Sequence, residues 1–401
     1  MLWRIFLYLR TAAVRTGFAV GRRRPLRHRV LFATSHADAL SGNLAVLRDE
    51  LGRRRPRVQT LALVKGRRRA GIAARAAALW QAAVSGYRLA TCRVVVVDDY
   101  FFPIYVISPR RGTTIVQVWH ASGAFKKFGY SVVDKTFGAD ARLLRQVRIH
   151  SNYDVCLVSS MAIAPHYAEA FGQPLERFRA DLGVPRTDAL FGDERIAQVG
   201  AALRHRYAIP AGKRVILYAP TFRGDSVGQA RADGLPDWRV LRDALADDHV
   251  LLVRLHPFVR EGLVIDRELD GFLTDVSDHP EINDLLHVAD VLVTDYSSVI
   301  FEYALLGKPM VFFAPDLAAY ERERGFYLDY RTDLPGPVAE TTLDLAAALR
   351  DPMTDPERVQ AFARWSFDVA DGAATTRVVD AIILPALGRE PALGREPALG
   401  R

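Results

Sequence analysis

The chain of 401 residues is 50% hydrophobic, 25% charged and 10% aromatic, which excludes an intrinsically disordered or collagen-like protein. Its net charge of +8 is uneven: residues 1–75 hold 18 Lys and Arg against three acids (Asp38, Asp49, Glu50), a net of +15, so the other 326 residues carry −7. A mildly acidic body with one basic segment argues against a nucleic-acid reader with positive charge spread over its folded domains, and nucleic acid is not expected as a partner.

The first segment, MLWRIFLYLRTAAVRTGFAV, is cut by Arg4, Arg10 and Arg15. It is neither an uninterrupted membrane span nor a signal peptide. Leu2, Ile5, Phe6, Leu9 and Ala13 follow helical spacing, with Arg4 and Arg15 opposite, and five arginines follow between 22 and 29. Residues 1–28 therefore read as a basic amphipathic arm suited to an anionic membrane surface. The plainer alternative is a helix docked on its own protein.

From residue 29, short apolar runs alternate with helical stretches. Strands are expected at 30–33, 58–64, 94–97, 114–118, 155–158, 215–218, 250–255, 291–294 and 310–313, with helices such as 71–90, 161–171, 194–207 and 238–246. Near-continuous aliphatic runs indicate parallel strands buried on both faces, and the alternation predicts a doubly wound α/β protein. GVPRTDALFGDE and IPAGK punctuate a boundary near 183–212. The expected domains are 29–192 and 193–384, two Rossmann-like halves facing across a cleft. Residues 385–401 repeat PALGRE and read as a low-complexity tail. Cys92 and Cys156 are too few for a disulfide framework, fit no metal spacing and suit a reducing cytoplasmic compartment.

Ligands of open α/β sheets bind outside the carboxyl ends of the strands, so residues there carry most weight. His120 closes TIVQVW and is placed as a general base, with Lys126 adding positive charge nearby; a structural histidine beside Trp119 is the competing reading. His256 ends VLLVRL and is held extended by Pro257, suited to a phosphate oxygen or a leaving group; an incidental turn histidine is the alternative. Asp295-Tyr296-Ser297-Ser298 opens a helix, where hydroxyls and backbone N–H groups suit an anion; simple capping is compatible with that. Glu302, four residues after Ser298, is either a ribose acceptor or a solvated charge. Thr221 and Arg223 in LYAPTFRGD suit a phosphate. Arg186 in GVPRTD either reaches the cleft or forms a structural salt bridge with Asp188 or another neighbour. The sequence has no P-loop, no GxGxxG after the first strand and no HExxH.

The combination of VQVWHASGAFKKFGYS, YDVCLVSS, LGVPRTDALF, ILYAPTFR, LLVRLHP and INDLLHVADVLVTDYSSVIFEYALLGKPMVFF resembles the CDP-glycerol:poly(glycerophosphate) glycerophosphotransferases of teichoic-acid synthesis, in order and spacing, from about Val94 to Ile383. PDLAAYERERGFYLDY and DGAATTRVVDAI extend the resemblance. It implies a GT-B-like architecture in which the C-terminal half holds the nucleotide. It implies transfer of glycerol phosphate or a related polyol phosphate from CDP-glycerol or another CDP-polyol to a hydroxyl of a prenyl-diphosphate-linked acceptor, releasing CMP. His120 would be the general base and His256 would stabilise phosphate charge. Thr221, Arg223, Ser297 and Ser298 would hold the pyrophosphate, Glu302 the ribose, and Asp295 would support the turn. The implied place of work is the cytoplasmic face of the membrane, as a peripheral protein. No metal ligand set and no cofactor is expected, with a Mg²⁺ carried in by the substrate compatible with this chemistry. Ala121 stands where the family commonly has Gly, which leaves the shape of the acceptor pocket and the subfamily open. A GT-B glycosyltransferase using a nucleotide sugar, and a non-enzymatic basic adaptor for membrane or nucleic acid, are the competing functions.

Overall fold

The aliphatic runs become parallel strands in the computed structural model of the chain, which describes residues 2–65, 71–133, 144, 146–224, 231–256, 259, 263–350 and 355–388. The strands are β1 (Arg27–Ala33), β2 (Gln59–Leu63), β3 (Cys92–Val97), β4 (Thr114–Gln117), β5 (Val155–Leu157), β6 (Phe178–Arg179), β7 (Arg214–Tyr218), β8 (His249–Val253), β9 (Leu273–Asp275), β10 (Val291–Thr294), β11 (Met310–Phe313) and β12 (Val338–Ala339). They form two six-stranded sheets, ordered β2-β1-β3-β4-β5-β6 and β12-β11-β10-β7-β8-β9. Val94 to Val97 of β3 and Val291 to Val293 of β10 are essentially fully buried, as strands covered on both faces must be. This is the GT-B-like plan of two Rossmann-like sheets. All nine expected strands are present. The three extra strands, β6, β9 and β12, have two or three residues each, too short for any periodicity to register.

The chain divides into two compact units, but not at residue 192. One unit comprises 1–120, 147–157 and 375–401; the other comprises 121–146 and 158–374. The expected boundary assumed one crossing between the halves, whereas the chain crosses repeatedly. After His120 it pairs Lys126 with Phe326 in an antiparallel bridge of the second unit. Near its end it returns to the first, where Asp380 pairs with Arg54. The PALGRE repeat begins inside a short helix (Leu384–Leu387), and beyond Gly388 it lies outside the described residues.

The separate arm expected at 1–28 is instead part of the first unit. Helix α1 (Leu2–Arg22) is followed in the chain by α2 (Gly42–Arg54) and lies along α3 (Ile72–Thr91). The packed face is Leu7, Val14, Gly17, Phe18 and Gly21, so Ile5 and Leu9 of the expected apolar face are left exposed. The approach is close because glycines line it: a Cβ on Gly86 would sit 2.0 Å from the Val14 carbonyl oxygen, and one on Gly17 1.9 Å from that of Ala83. Gly86→Ala is expected to force the helices apart and cost about 1–3 kcal/mol, read as a lowered denaturation midpoint. No described helix is long and apolar enough to cross a membrane. Both cysteines are buried.

Candidate active site

Because β1, β3 and β4 are adjacent and parallel, the residues that follow them share one edge of the first sheet. These residues are Thr34 to His36, Asp98-Asp99 and Trp119-His120. Trp119 has φ 50°, a left-handed conformation that a bulky residue adopts only when its surroundings impose it. Here Asn43 Nδ2 donates to the carbonyls of Val118 (3.1 Å) and Trp119 (2.9 Å), and the Trp119 N–H donates to Gln117 Oε1 (2.8 Å). The turn presents His120 to solvent, stacked on Trp119 at 4.5 Å. His120 Nδ1 lies 2.9 Å from the Asp98 carbonyl oxygen. A carbonyl only accepts, so Nδ1 carries the proton and the basic lone pair is on Nε2.

Three groups missed in the sequence surround it. His36 Nδ1 is 3.5 Å from Asp99 Oδ2 and 3.8 Å from Asp98 Oδ1. Burial opposes the His36 imidazolium, but the bond to Asp99 and the charges of Asp98 and Asp99 outweigh it and raise its pKa. Burial pushes the Asp98 carboxyl up to about 6. Burial works in the same direction on Asp99, yet the bond from His36 and the charge of His120 hold it below the usual carboxylate range. Ligand-type atoms of His36, Asp99 and His120 all lie within 4.8 Å of one another. The paired acids after a buried Val run were the available signal.

In the second sheet β10, β7 and β8 are adjacent, so DYSS, PTFR and His256 share an edge. Asp295 is buried and organises the turn. It accepts from the Thr221 N–H (2.8 Å), Thr221 Oγ1 (3.0 Å), Arg223 Nη1 (2.7 Å) and the Tyr296 N–H. Arg223 is also bidentate to Asp316, at 2.7 and 3.0 Å, between the rings of Tyr296 and Tyr320. Burial alone would depress the guanidinium, but the two carboxylates hold its pKa above the ordinary value. Thr221 and Arg223, expected as phosphate ligands, therefore spend these bonds on Asp295 and Asp316. Asp316, Tyr296 and Tyr330, whose hydroxyl donates to the Asp295 carbonyl (2.9 Å), were not foreseen.

Ser297 Oγ accepts from the Val299 N–H at 3.3 Å, and Ser298 precedes the helix Val299–Ala304 without a side-chain capping bond. Glu302 is no solvated charge: it is 3% exposed, Oε1 accepts from Ser122 Oγ (2.8 Å), and Arg186 Nε stands 3.5 Å away. Arg186 thus pairs with Glu302, while Asp188 accepts from the Ala374 N–H. Gly123 is required beside this pair, since a Cβ there would meet the Phe301 ring at 2.4 Å. Lys126 Nζ lies 6.0 Å from the centroid of the Tyr320 ring.

His256 packs 4.9 Å from Phe222. Burial, with Lys126 and Arg254 assisting, lowers its pKa to about 3, so at neutral pH it is a neutral donor rather than a cation. Pro257 lies outside the described residues. Such a group binds fewer protons folded than unfolded between about pH 3 and its ordinary value near 6.5. The stability of the wild type relative to His256→Asn is therefore expected to fall as pH drops through that window. Paired denaturant titrations at several pH values would check it.

The family model for CDP-glycerol:poly(glycerophosphate) glycerophosphotransferase matches residues 18–384. The chain belongs to this family. It is 41% identical over 362 residues to a teichoic acid ribitol-phosphate primase of Bacillus spizizenii, covering 89% of this chain and 92% of that protein. It is 37% identical to the teichoic acid poly(ribitol-phosphate) polymerase of the same species, covering 94% of this chain but 60% of the polymerase. A solved structure of the wall teichoic acid polymerase TagF superposes with a TM-score of 0.76 at 22% identity, covering 95% of this chain and 94% of that one. The chain is thus an enzyme of polyol-phosphate transfer from a CDP-polyol, which decides among the functions that the residues left open.

Proposed function

We propose that this enzyme adds ribitol phosphate from CDP-ribitol to a hydroxyl on a prenyl-diphosphate-linked acceptor, as a peripheral protein on the cytoplasmic face of the membrane. Identity and coverage favour ribitol: the glycerol-phosphate primase of Bacillus spizizenii is 34% identical over 68% of this chain. The observation that carries the chemistry is the His120 tautomer fixed by the Asp98 carbonyl. Nε2 takes the proton of the acceptor hydroxyl, whose oxygen attacks the β-phosphorus. The bond from that phosphorus to the bridging oxygen breaks, and CMP leaves. Phosphoryl transfer asks the protein for positioning and charge stabilisation. Ser297, Ser298, Lys126 and neutral His256 donate to the phosphates, while Thr221, Arg223 and Asp295 hold the turn that places them. Arg186 fixes Glu302. Glu302 Oε2 is buried with no hydrogen-bond partner among the described residues, which suits it to accept from a ribose hydroxyl. The residues require no resident cofactor for these steps, and a Mg²⁺ arriving with the diphosphate fits them.

Mass spectrometry of the product from one defined lipid-linked acceptor tests this reading. Growth by ribitol phosphate supports it, and growth only by glycerol phosphate overturns the choice of polyol.

For the membrane, α1 exposes Trp3, Ile5, Tyr8 (74%), Leu9 and Val20, and α3 exposes Trp80 (70%), amid the basic segment. Apolar anchors beside cations suit an anionic lipid surface. Tyr8→Glu with Trp80→Glu is expected to abolish co-sedimentation with phosphatidylglycerol vesicles while sparing turnover of a soluble acceptor. Unchanged sedimentation would contradict the membrane assignment.

A further inference from the structure

The edge of the first sheet gathers more ligand-type groups than a lone general base requires. Two imidazoles and a carboxylate, on His36, Asp99 and His120, converge within 4.8 Å from the ends of three adjacent strands. Behind them stands Asp98, 3% exposed, whose Oδ1 has no hydrogen-bond partner among the described residues and lies 3.8 Å from His36 Nδ1. A buried carboxylate oxygen without a donor, next to a second carboxylate, creates a local demand for a cation.

We propose that His36, Asp99 and His120 form a binding site for a divalent transition-metal ion of the zinc class. Two imidazoles with one carboxylate favour zinc, cobalt or nickel over magnesium, which prefers an all-oxygen set. The outer contact of His120 matches that of a metal-binding histidine. His120 Nδ1 is held by a backbone carbonyl at 2.9 Å, which aims the Nε2 lone pair outward, while His36 Nδ1 faces Asp99 Oδ2 at 3.5 Å. Ligand atoms around a tetrahedral zinc ion stand about 3.4 Å apart, given bonds of about 2.1 Å. Rotation of the partly exposed His36 side chain closes the remaining gap, with His120 kept on the Asp98 carbonyl. The open side leaves coordination positions for water.

The metal and the acceptor proton compete for the same Nε2 lone pair. Occupancy therefore switches the transferase off. That consequence rests on His120 being the general base; the binding itself does not.

The test uses the full chain. Equilibrium dialysis with Zn²⁺ is expected to give one equivalent bound, and Co²⁺ in its place a visible d–d absorption band. His36→Asn and Asp99→Asn are each expected to weaken binding at least tenfold. Circular dichroism checks that both variants fold, and His36→Asn alone is decisive if Asp99→Asn does not. Release of CMP is expected to fall in step with Zn²⁺ occupancy and to return on chelation. Absence of a stoichiometric site, or Zn²⁺ binding unchanged in His36→Asn, overturns the proposal. Metal binding in a chain that releases no CMP would leave the site standing and remove the functional reading instead.

Discussion

Replacing His120 by alanine is expected to lower CMP release by about 10²–10⁴-fold, the usual contribution of a positioned general base, while CDP-polyol binding persists. The binding should survive because the side chains assigned to the nucleotide lie in the other compact unit, around Asp295, Glu302 and His256. Folding should survive because His120 is exposed and its ring lies on the surface of Trp119. The turn that carries it is fixed independently by Asn43 and Gln117. Asn43→Ala is the instructive companion. It removes two donors from carbonyls that hold Trp119 at a positive φ, and it should reduce turnover with His120 still present. Steady-state CMP release together with calorimetric titration of the CDP-polyol separates the two effects. A His120→Ala enzyme with near-normal turnover would remove the residue from the mechanism.

The second large effect concerns stability. Asp295→Ala is expected to destabilise the second unit by about 3–5 kcal/mol, the cost of breaking one side of a buried ion pair. The carboxylate satisfies two backbone N–H groups, one hydroxyl and one guanidinium at once. Its loss leaves Arg223 paired with Asp316 alone and uncouples the PTFR and DYSS turns. Asp295→Asn retains acceptor capacity on one side and should cost less. Denaturant titration of both variants gives the ordering, and equal stability of Asp295→Ala and wild type would contradict the bracing role.

The nine aliphatic runs were legible as strands because parallel strands covered on both faces need continuous apolar residues. Their order in the sheets was not, and neither was the repeated crossing of the chain between units, since both depend on contacts distant in sequence. The same limit applies at the site. His120 and DYSS stood out by position after strands. The partner of Arg223, Asp316, is 93 residues away, and the partner of Glu302, Ser122, is 180 residues away. No local pattern joins them. His36 does not stand out in the sequence, because a single histidine in a polar loop carries no spacing signal, and it gains meaning only when β1 sets it beside β3 and β4. The start of the basic segment is a helix, as its spacing suggests, but that helix presents a different face from the one that the apolar spacing marks. Glycines at 17, 21 and 86 decide which side can approach α3.

Polyol-phosphate transfer from a CDP-polyol is the reaction that every residue role above serves. It is tested most directly by incubating the purified chain and a lipid-linked acceptor with CDP-ribitol, CDP-glycerol and a panel of nucleotide sugars, and measuring the nucleotide released. CMP is expected, released only with a CDP-polyol and only when acceptor is present. Turnover of nucleotide sugars alone, with both CDP-polyols left intact, would contradict it.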